Sequence, residues 1–178
     1  MTLIGHRARN HPQQVATRGP NNAVDDRATP PEIFGPLNER FGFTIDVAAS
    51  AHNAKCERFY TATDNGLMQS WAGERVWCNP PYSHPNLGRW LDKAWQQVTA
   101  AELIVMLVPA NRTEQTWWQK HVEPFRDRSG SPLRTEFMPG RIRFIARGQS
   151  LIGPNERPPF GCCLLIWESH HTTEGCTP

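Results

Sequence analysis

The chain has 178 residues, of which 38% are hydrophobic and 20% are charged, and its formal net charge is +2. This predicts one soluble globular domain, and the weak positive charge is compatible with a polyanionic partner without establishing one. No run of 18 apolar residues occurs and the N-terminus lacks an apolar core, so we expect neither a membrane span nor a secretory signal. Five cysteines without a C-x-x-C pair favour buried thiols in a reducing cytoplasm over a metal site or a disulfide framework.

The beginning of the chain divides into an arm and a helix. Residues 1–28 are rich in Arg, Asn, Gln and Pro without periodicity, and we expect a flexible N-terminal arm. The segment TPPE then predicts a helix in which Thr29 is the cap, Pro30 takes the first helical position and Glu32 completes a capping box. Gly42 is expected to end this helix.

The rest of the chain alternates predicted strands with predicted helices. The strands are Phe43–Val47, Cys56–Thr61, Arg75–Cys78, Leu103–Val108, Arg141–Ala146 and Gly161–Trp167, and the helices are Leu87–Val98 and Thr113–Val122. This alternation predicts a single α/β domain with a mostly parallel sheet over residues 29–168, followed by a tail at 169–178. The last two strands have no helix between them and are expected to form an antiparallel hairpin at one edge.

The segment Asn79-Pro80-Pro81-Tyr82 directly follows a predicted strand, where α/β sheets bind ligands. An exocyclic amino nitrogen of a nucleobase is a poor nucleophile because its lone pair is delocalised into the ring. The Asn79 side-chain oxygen and the Pro80 carbonyl are two rigidly held acceptors that would draw this nitrogen toward tetrahedral geometry. Tyr82 offers a face for stacking a base flipped out of a duplex. Such a site suits an already activated electrophile, for example a sulfonium methyl donor; the alternative is a stiff turn with Tyr82 as a core aromatic.

Seven short motifs stand in a fixed order over residues 29–167. They are TPPEIF (29–34), FTIDVAAS (43–50), NAKCERFYT (53–61), DNGLMQSW (64–71), VWCNPPYS (76–83), LIVMLVPANRTEQTWW (103–118) and RIRF (141–144). In this order they resemble the phage-type adenine-N6 DNA methyltransferases, and the order is more specific than NPPY alone. The resemblance implies a class I, Rossmann-like methyltransferase fold and a site-specific enzyme in the bacterial host cytoplasm. It also implies S-adenosylmethionine as methyl donor and duplex DNA, with a flipped-out adenine, as substrate.

The resemblance also implies roles for individual positions. Thr29 and Pro30 match the segment that contacts the amino-acid end of the donor. The four residues from Asn79 to Tyr82, with Pro80 and Pro81 between them, match the catalytic segment that holds the target adenine.

Two further segments match the donor site. Asp46, Ala48 and Ala49 match the loop around the methionine portion, and Asp64 matches an acidic position near the adenosine. Asp46 could instead cap a following helix, and Asp64 could be an ordinary turn residue. This loop departs from the usual pattern because it contains no glycine, which a close backbone approach would normally require. The first two predicted strands are also too close in sequence for a helical crossover.

Basic residues are concentrated between residues 126 and 147. This segment contains six arginines (126, 128, 134, 141, 143 and 147) and only two acidic residues, Asp127 and Glu136. Arg141 and Arg143 alternate with apolar residues, so both would project from one face, and we favour them as DNA phosphate contacts. Arg134 and Arg89 are further candidates, and the alternative is a solvated basic surface.

Three other functions use parts of the same pattern. A protein glutamine N5-methyltransferase also carries N-P-P-Y, but the arginine-rich block and the TPPEIF opening argue against it. A non-catalytic DNA-binding protein with this fold would have no use for the polarising Asn79. Cytosine-N4 methylation typically has Ser at that position.

Overall fold

A computed structural model describes Asp25 and residues 27–83, 85–145 and 160–168. The helices named below are α1 (Pro31–Phe41), α2 (Asn86–Gln97) and α3 (Thr116–His121). The strands are β1 (Ile45–Asp46), β2 (Arg58–Phe59), β3 (Arg75–Cys78), β4 (Leu103–Pro109), β5 (Leu133–Phe137) and β6 (Cys162–Glu168).

The strands form one mixed sheet in the order β2-β1-β3-β4-β6-β5. The first four positions in this order pair in parallel, whereas β6 is antiparallel to both β4 and β5. This confirms the predicted α/β fold with a mostly parallel sheet and an antiparallel edge. The chain runs from β1 outward to β2 and then returns to the other side of β1 as β3. The topological switch point, where such sheets bind ligands, therefore lies at the carboxyl ends of β1 and β3.

Apolar side chains cover both faces of the sheet. Leu91 and Ala94 of α2 and Trp118 of α3 pack on one face, and Phe34 and Leu37 of α1 pack on the other. All seven residues of β4 are buried, as its continuous apolar run predicts. No helix within the described ranges is both long and apolar enough to cross a membrane.

Helix α1 begins one residue later than predicted and without a side-chain cap. Pro30 is the N-cap, its carbonyl accepts from the N–H groups of Ile33 and Phe34, and no side chain makes a capping hydrogen bond. The predicted capping by Thr29 is therefore wrong: its hydroxyl is buried and has no partner among the described residues. Gly42 ends the helix in the left-handed conformation, φ 61°, as predicted.

The edge hairpin contains a different strand from the one predicted. Residues 141–144 form no strand, and Ile145 makes only an isolated bridge to Ala28. The edge strand that pairs with β6 is β5. Sequence patterns missed β5 because it is an edge strand whose Arg134 and Glu136 make ion pairs, so it lacks an apolar run.

Three other predictions have simple outcomes. The connection between β1 and β2 consists of turns without a helix, which explains how the two parallel strands can be so close in sequence. Helix α3 is shorter at both ends than the predicted Thr113–Val122. Residues 1–24 of the predicted arm, the loop 148–159 and the tail 169–178 lie outside the described residues.

Candidate active site

The segment from Asn79 to Tyr82 leaves the carboxyl end of β3 at the switch point. The hydroxyl of Tyr82 donates to Asn79 Oδ1 at 2.8 Å, and Asn79 Nδ2 donates to the carbonyl oxygen of Arg27 at 3.3 Å. The second bond fixes the orientation of the amide, and its oxygen keeps one lone pair beyond the bond from Tyr82. No donor in the described part of the chain is bonded to the carbonyl of Pro80. Described donors therefore leave both the Asn79 oxygen and the carbonyl of the buried Pro80 with acceptor capacity.

Two charged side chains stabilise the end of this segment. Asp25 Oδ1 accepts hydrogen bonds from the N–H groups of Tyr82 and Ser83 at 3.1 and 3.2 Å, and its Oδ2 accepts from the Ser83 hydroxyl. Arg112 Nη1 donates to the carbonyl of Tyr82 at 3.2 Å. The loop is therefore fixed by side chains at its C-terminal end as well as by prolines within it.

The Tyr82 ring is half-buried beside two phenylalanines. Its centroid lies 6.2 Å from that of Phe144 and 6.1 Å from that of Phe160, both in edge-to-face geometry. The ring packs against the core layer below α1, so part of the core-aromatic interpretation is correct. Burial raises the pKa of the phenol well above its usual value, with smaller contributions from nearby cysteines. Tyr82 therefore acts as a neutral hydrogen-bond donor.

Asp46 ends β1 and is only 3% exposed. Its Oδ1 accepts from the N–H of Ala48 at 3.3 Å and its Oδ2 from the N–H of Lys55 at 3.1 Å. Burial raises the pKa of this carboxyl to about 6, although the two N–H groups favour the charged form. No helix follows Asp46, so the predicted alternative of helix capping is wrong. Instead, its carboxylate folds the β1–β2 loop back on itself.

A glycine of another segment packs closely against this loop. A Cβ placed on Gly66 would lie 2.2 Å from the carbonyl oxygen of Val47, so only glycine fits at this contact. The indole N–H of Trp71 donates to the carbonyl of Gly66 at 3.1 Å and stabilises the approach. The DNGL segment therefore lies directly against the loop that follows Asp46.

Asp64, in the same segment, is exposed and has turn contacts. Its Oδ2 accepts from the hydroxyl and the N–H of Thr61 at 2.7 and 2.8 Å, and these bonds lower the pKa of the carboxyl. Asp64 therefore makes the contacts of an ordinary turn residue, as the alternative interpretation predicts. Its place beside Gly66 also puts this carboxylate on the segment that contacts the predicted donor loop.

Thr29 and Arg27 contain buried polar atoms without partners. The Thr29 hydroxyl and Arg27 Nε have no hydrogen bond within the described residues. Leaving such groups unsatisfied costs roughly 1–3 kcal/mol each, which a bound ligand with polar groups could offset. Since the carbonyl of Arg27 is bonded to Asn79, these atoms lie on a segment that contacts the NPPY loop.

The candidate DNA contacts are on three segments. Arg141 is exposed and Arg143 half-buried, while Ile142 and Phe144 are 3% exposed, so the predicted alternation holds without a strand. The contact between Phe144 and Tyr82 places this segment beside the NPPY loop. Arg89 is exposed in the first half of α2.

Arg134 differs from these arginines because it is paired. It contacts Glu136 and lies 2.9 Å from Glu168, so a phosphate would have to replace both partners.

Several residues of the site were missed by sequence reasoning. Arg112 follows β4, the neighbour of β3, so the strand-end rule could have identified it. Asp25 and Arg27 lie in the predicted arm, and the structure describes both as parts of the site. Nothing in the composition of residues 1–28 distinguishes either of these two residues from its neighbours.

Comparisons with known proteins identify the family to which the chain is similar. The family model described as DNA N-6-adenine-methyltransferase (Dam) matches residues 16–175. A DNA N-6-adenine-methyltransferase of Escherichia phage T1 is 37% identical over 99 residues, which cover 54% of this chain and 41% of that protein. The protein of the same description from Haemophilus phage HP1 (strain HP1c1) is 37% identical over 83 residues, covering 46% of this chain and 47% of the relative. The aligned region is thus less than half the length of either relative.

Proposed function

We propose that this chain, which belongs to the DNA N-6-adenine-methyltransferase (Dam) family, transfers a methyl group to N6 of adenine in DNA. One observation carries the proposal beyond the family. At the switch point of the sheet, Asn79 Oδ1 retains an acceptor lone pair and the Pro80 carbonyl is not bonded within the described residues. Two acceptors on a rigid loop are what an amino nitrogen with a delocalised lone pair requires.

The chain's own residues would act by position and polarisation. Asn79 Oδ1 and the Pro80 carbonyl accept hydrogen bonds from the two N–H groups of the target amino group. These bonds draw N6 toward tetrahedral geometry and make its lone pair available. The Tyr82 hydroxyl and the Arg27 carbonyl orient the Asn79 amide, so no reorganisation is needed when the base enters. The Tyr82 ring would supply the surface on which the flipped base stacks. As the bond from N6 to the methyl carbon forms, the C–S bond of the donor breaks and a thioether leaves. N6 then carries one proton too many, which would pass to solvent, so none of these protein groups has to change its protonation state.

A methyltransferase of this family uses a methyl donor, and we propose S-adenosylmethionine. A sulfonium donor supplies a methyl carbon that is already activated for attack by a neutral nitrogen. The unpartnered Thr29 hydroxyl fits a donor that presents polar groups, and Thr29 with Pro30 would hold its amino-acid end. The loop of Asp46, Ala48 and Ala49 would surround the methionine portion.

The adenosine end of the donor would lie near the DNGL segment. Asp64 is exposed there and its pKa is lowered, so the carboxylate is charged and can accept hydrogen bonds from hydroxyl groups. The contact of Gly66 with Val47 sets the distance between this segment and the Asp46 loop.

We propose that the DNA backbone is contacted by Arg141, Arg143 and Arg89, with Arg134 as a weaker contact. The first two lie beside Tyr82 through Phe144. They make no ion pair with any described residue, so both are free to contact phosphates.

Identification of the methylated product tests the proposal. The protein is incubated with labelled S-adenosylmethionine and unmethylated duplex DNA, the DNA is digested, and the labelled nucleoside is identified. We expect N6-methyladenine from the wild type and, at equal enzyme concentration and time, about 10²–10³-fold less from Asn79→Ala. Label on protein glutamine would indicate the alternative methyltransferase, label on N4 of cytosine would indicate the other base, and DNA binding without label would indicate a non-catalytic protein. Each of these outcomes would reject the proposal.

A further inference from the structure

We infer that Asp25 is a positioning residue for methyl transfer, which holds the catalytic loop through three hydrogen bonds to Tyr82 and Ser83. The inference rests on the proposed function. Asp25 is separated from Tyr82 by 57 positions in sequence and belongs to none of the motifs that carry the family resemblance.

The carboxylate of Asp25 accepts hydrogen bonds from donors of two consecutive residues of the loop. Its Oδ1 accepts from two neighbouring N–H groups, of Tyr82 and Ser83, while its Oδ2 accepts from the Ser83 hydroxyl. Hydrogen bonds to a charged group are roughly twice as strong as neutral ones. Three of them on one carboxylate fix the Tyr82–Ser83 peptide more firmly than the backbone alone would.

The contact also connects the loop to α2. The Ser83 hydroxyl accepts from Asn86 Nδ2 at 2.9 Å while it donates to Asp25, and the N–H of Asn86 donates to the carbonyl of Ser83 at 2.8 Å. Asn86 is the first residue of α2. Asp25, Ser83 and Asn86 thus form a chain of bonds from the N-terminal segment to the first residue of α2.

The main-chain carbonyl of Tyr82 is held by the cationic side chain of Arg112. Arg112 donates to the carbonyl of Tyr82, whereas Asp25 accepts from the N–H of Tyr82. The main chain of Tyr82 is therefore fixed at both of its polar groups by side chains of opposite charge. Because the hydroxyl of Tyr82 bonds Asn79 Oδ1, a displaced Tyr82 would displace the polarising amide.

Small displacements of this kind have large effects on rate. A shift of about 1 Å in a reacting or positioning group can cost about 10²-fold in turnover. We therefore expect Asp25→Ala to lower kcat by about 10²-fold and to leave the KM for S-adenosylmethionine within about threefold of wild type. Asp25→Asn keeps an oxygen for the two N–H groups and should lose only about tenfold or less.

The matched control is Glu39→Ala, which removes the same charge from an exposed position on α1. It should leave kcat unchanged. All rates are measured below the unfolding temperature of every variant, so that kcat refers to folded protein.

A double-mutant cycle separates positioning from a general loss of stability. If Asp25 acts by positioning the Tyr82 hydroxyl against Asn79, Asp25→Ala should lower kcat by a smaller factor in a Tyr82→Phe background than in the wild type. Equal factors in both backgrounds would overturn the inference. So would an Asp25→Ala kcat equal to that of Glu39→Ala or higher than wild type. A wild-type protein that methylates no DNA would instead reject the proposed function, so the two failures are distinguishable.

Discussion

The Tyr82 hydroxyl lies 2.8 Å from Asn79 Oδ1 and donates a hydrogen bond to it. This bond joins the two side chains of the NPPY segment that the proposed chemistry uses. An amide oxygen has two lone pairs, so the bond orients Asn79 without consuming its capacity to accept from an amino group. The hydroxyl and the ring of Tyr82 therefore have separate functions, and substitutions can separate them.

Tyr82→Phe should lower kcat by about tenfold or less, since it removes one hydrogen bond that orients Asn79. The KM for DNA should change little because the ring remains. Tyr82→Ala should raise that KM as well, since stacking of a base on an aromatic ring contributes about 1–3 kcal/mol. Steady-state kinetics with both substrates varied measures the two effects.

The control for this pair is Tyr60→Phe, which removes the hydroxyl of the other tyrosine in the chain. It should leave both constants unchanged. Equal impairment of Tyr82→Phe and Tyr82→Ala would contradict the separation of the two functions.

Asp46 should make the protein less stable as the pH rises through about 6. Its pKa is about 6 when folded, against an ordinary value of 3.8, so the folded state binds more protons between these values. The stabilising contribution is fully present below 3.8 and is lost as the pH rises through 6. The separation of the two pKa values corresponds to about 3 kcal/mol. Denaturant unfolding should therefore show that the free energy of unfolding of Asp46→Asn rises relative to that of the wild type between acidic and neutral pH.

Asp127→Asn provides a control of opposite sign. Partial desolvation raises the pKa of Asp127, but hydrogen bonds from Thr135 outweigh it and the net pKa is lowered. Its stabilising contribution should be present at neutral pH and be lost as the pH falls. A difference between wild type and Asp46→Asn that does not vary with pH would show that the carboxyl is not perturbed.

Gly66→Ala should destabilise the protein by about 1–3 kcal/mol, because the new methyl group would lie against the Val47 carbonyl and force the two segments apart. The KM for S-adenosylmethionine should rise too, since this contact sets the position of the proposed donor loop. Gly35→Ala is the control: nothing lies within 4 Å of its Cβ, and in a helix interior it should stabilise by roughly 0.5–1 kcal/mol. Thermal unfolding of the two variants should give changes of opposite sign.

Replacing Arg141 and Arg143 together by Gln should reduce the salt dependence of DNA binding. Each phosphate contact contributes about 0.9 to the slope of log K against log salt, so the double variant should lose roughly 2. Arg58→Gln removes a charge that is paired with Glu74 on an edge strand and should not change the slope. An unchanged slope in the double variant would show that the two arginines are solvated surface residues.

Local signals account for what the sequence could predict. The apolar run of β4, the helical periodicity of α2 and the NPPY segment after β3 each fall within a short stretch, and the structure places all three as expected. β5 was missed because its stabilisation comes from pairing with β6 and from ion pairs rather than from an apolar pattern.

Asp25 was missed for a related reason. It acts on residues 57 and 58 positions away, and one carboxylate in a polar segment carries no periodic signal. The close contact of Gly66 with Val47 is likewise tertiary, because it joins residues 19 positions apart and no local pattern of the sequence indicates it.

The single-turnover rate of methyl transfer by Asn79→Ala tests the central claim most directly. Wild type and variant are compared at saturating S-adenosylmethionine and duplex DNA, with binding of both measured separately. We predict a rate about 10²–10³-fold lower in the variant, with both substrates still bound, because removing one preorganised polar group costs this much at a developing charge. Transfer to N6 of adenine at the wild-type rate by folded Asn79→Ala would contradict the claim that this amide activates the target nitrogen.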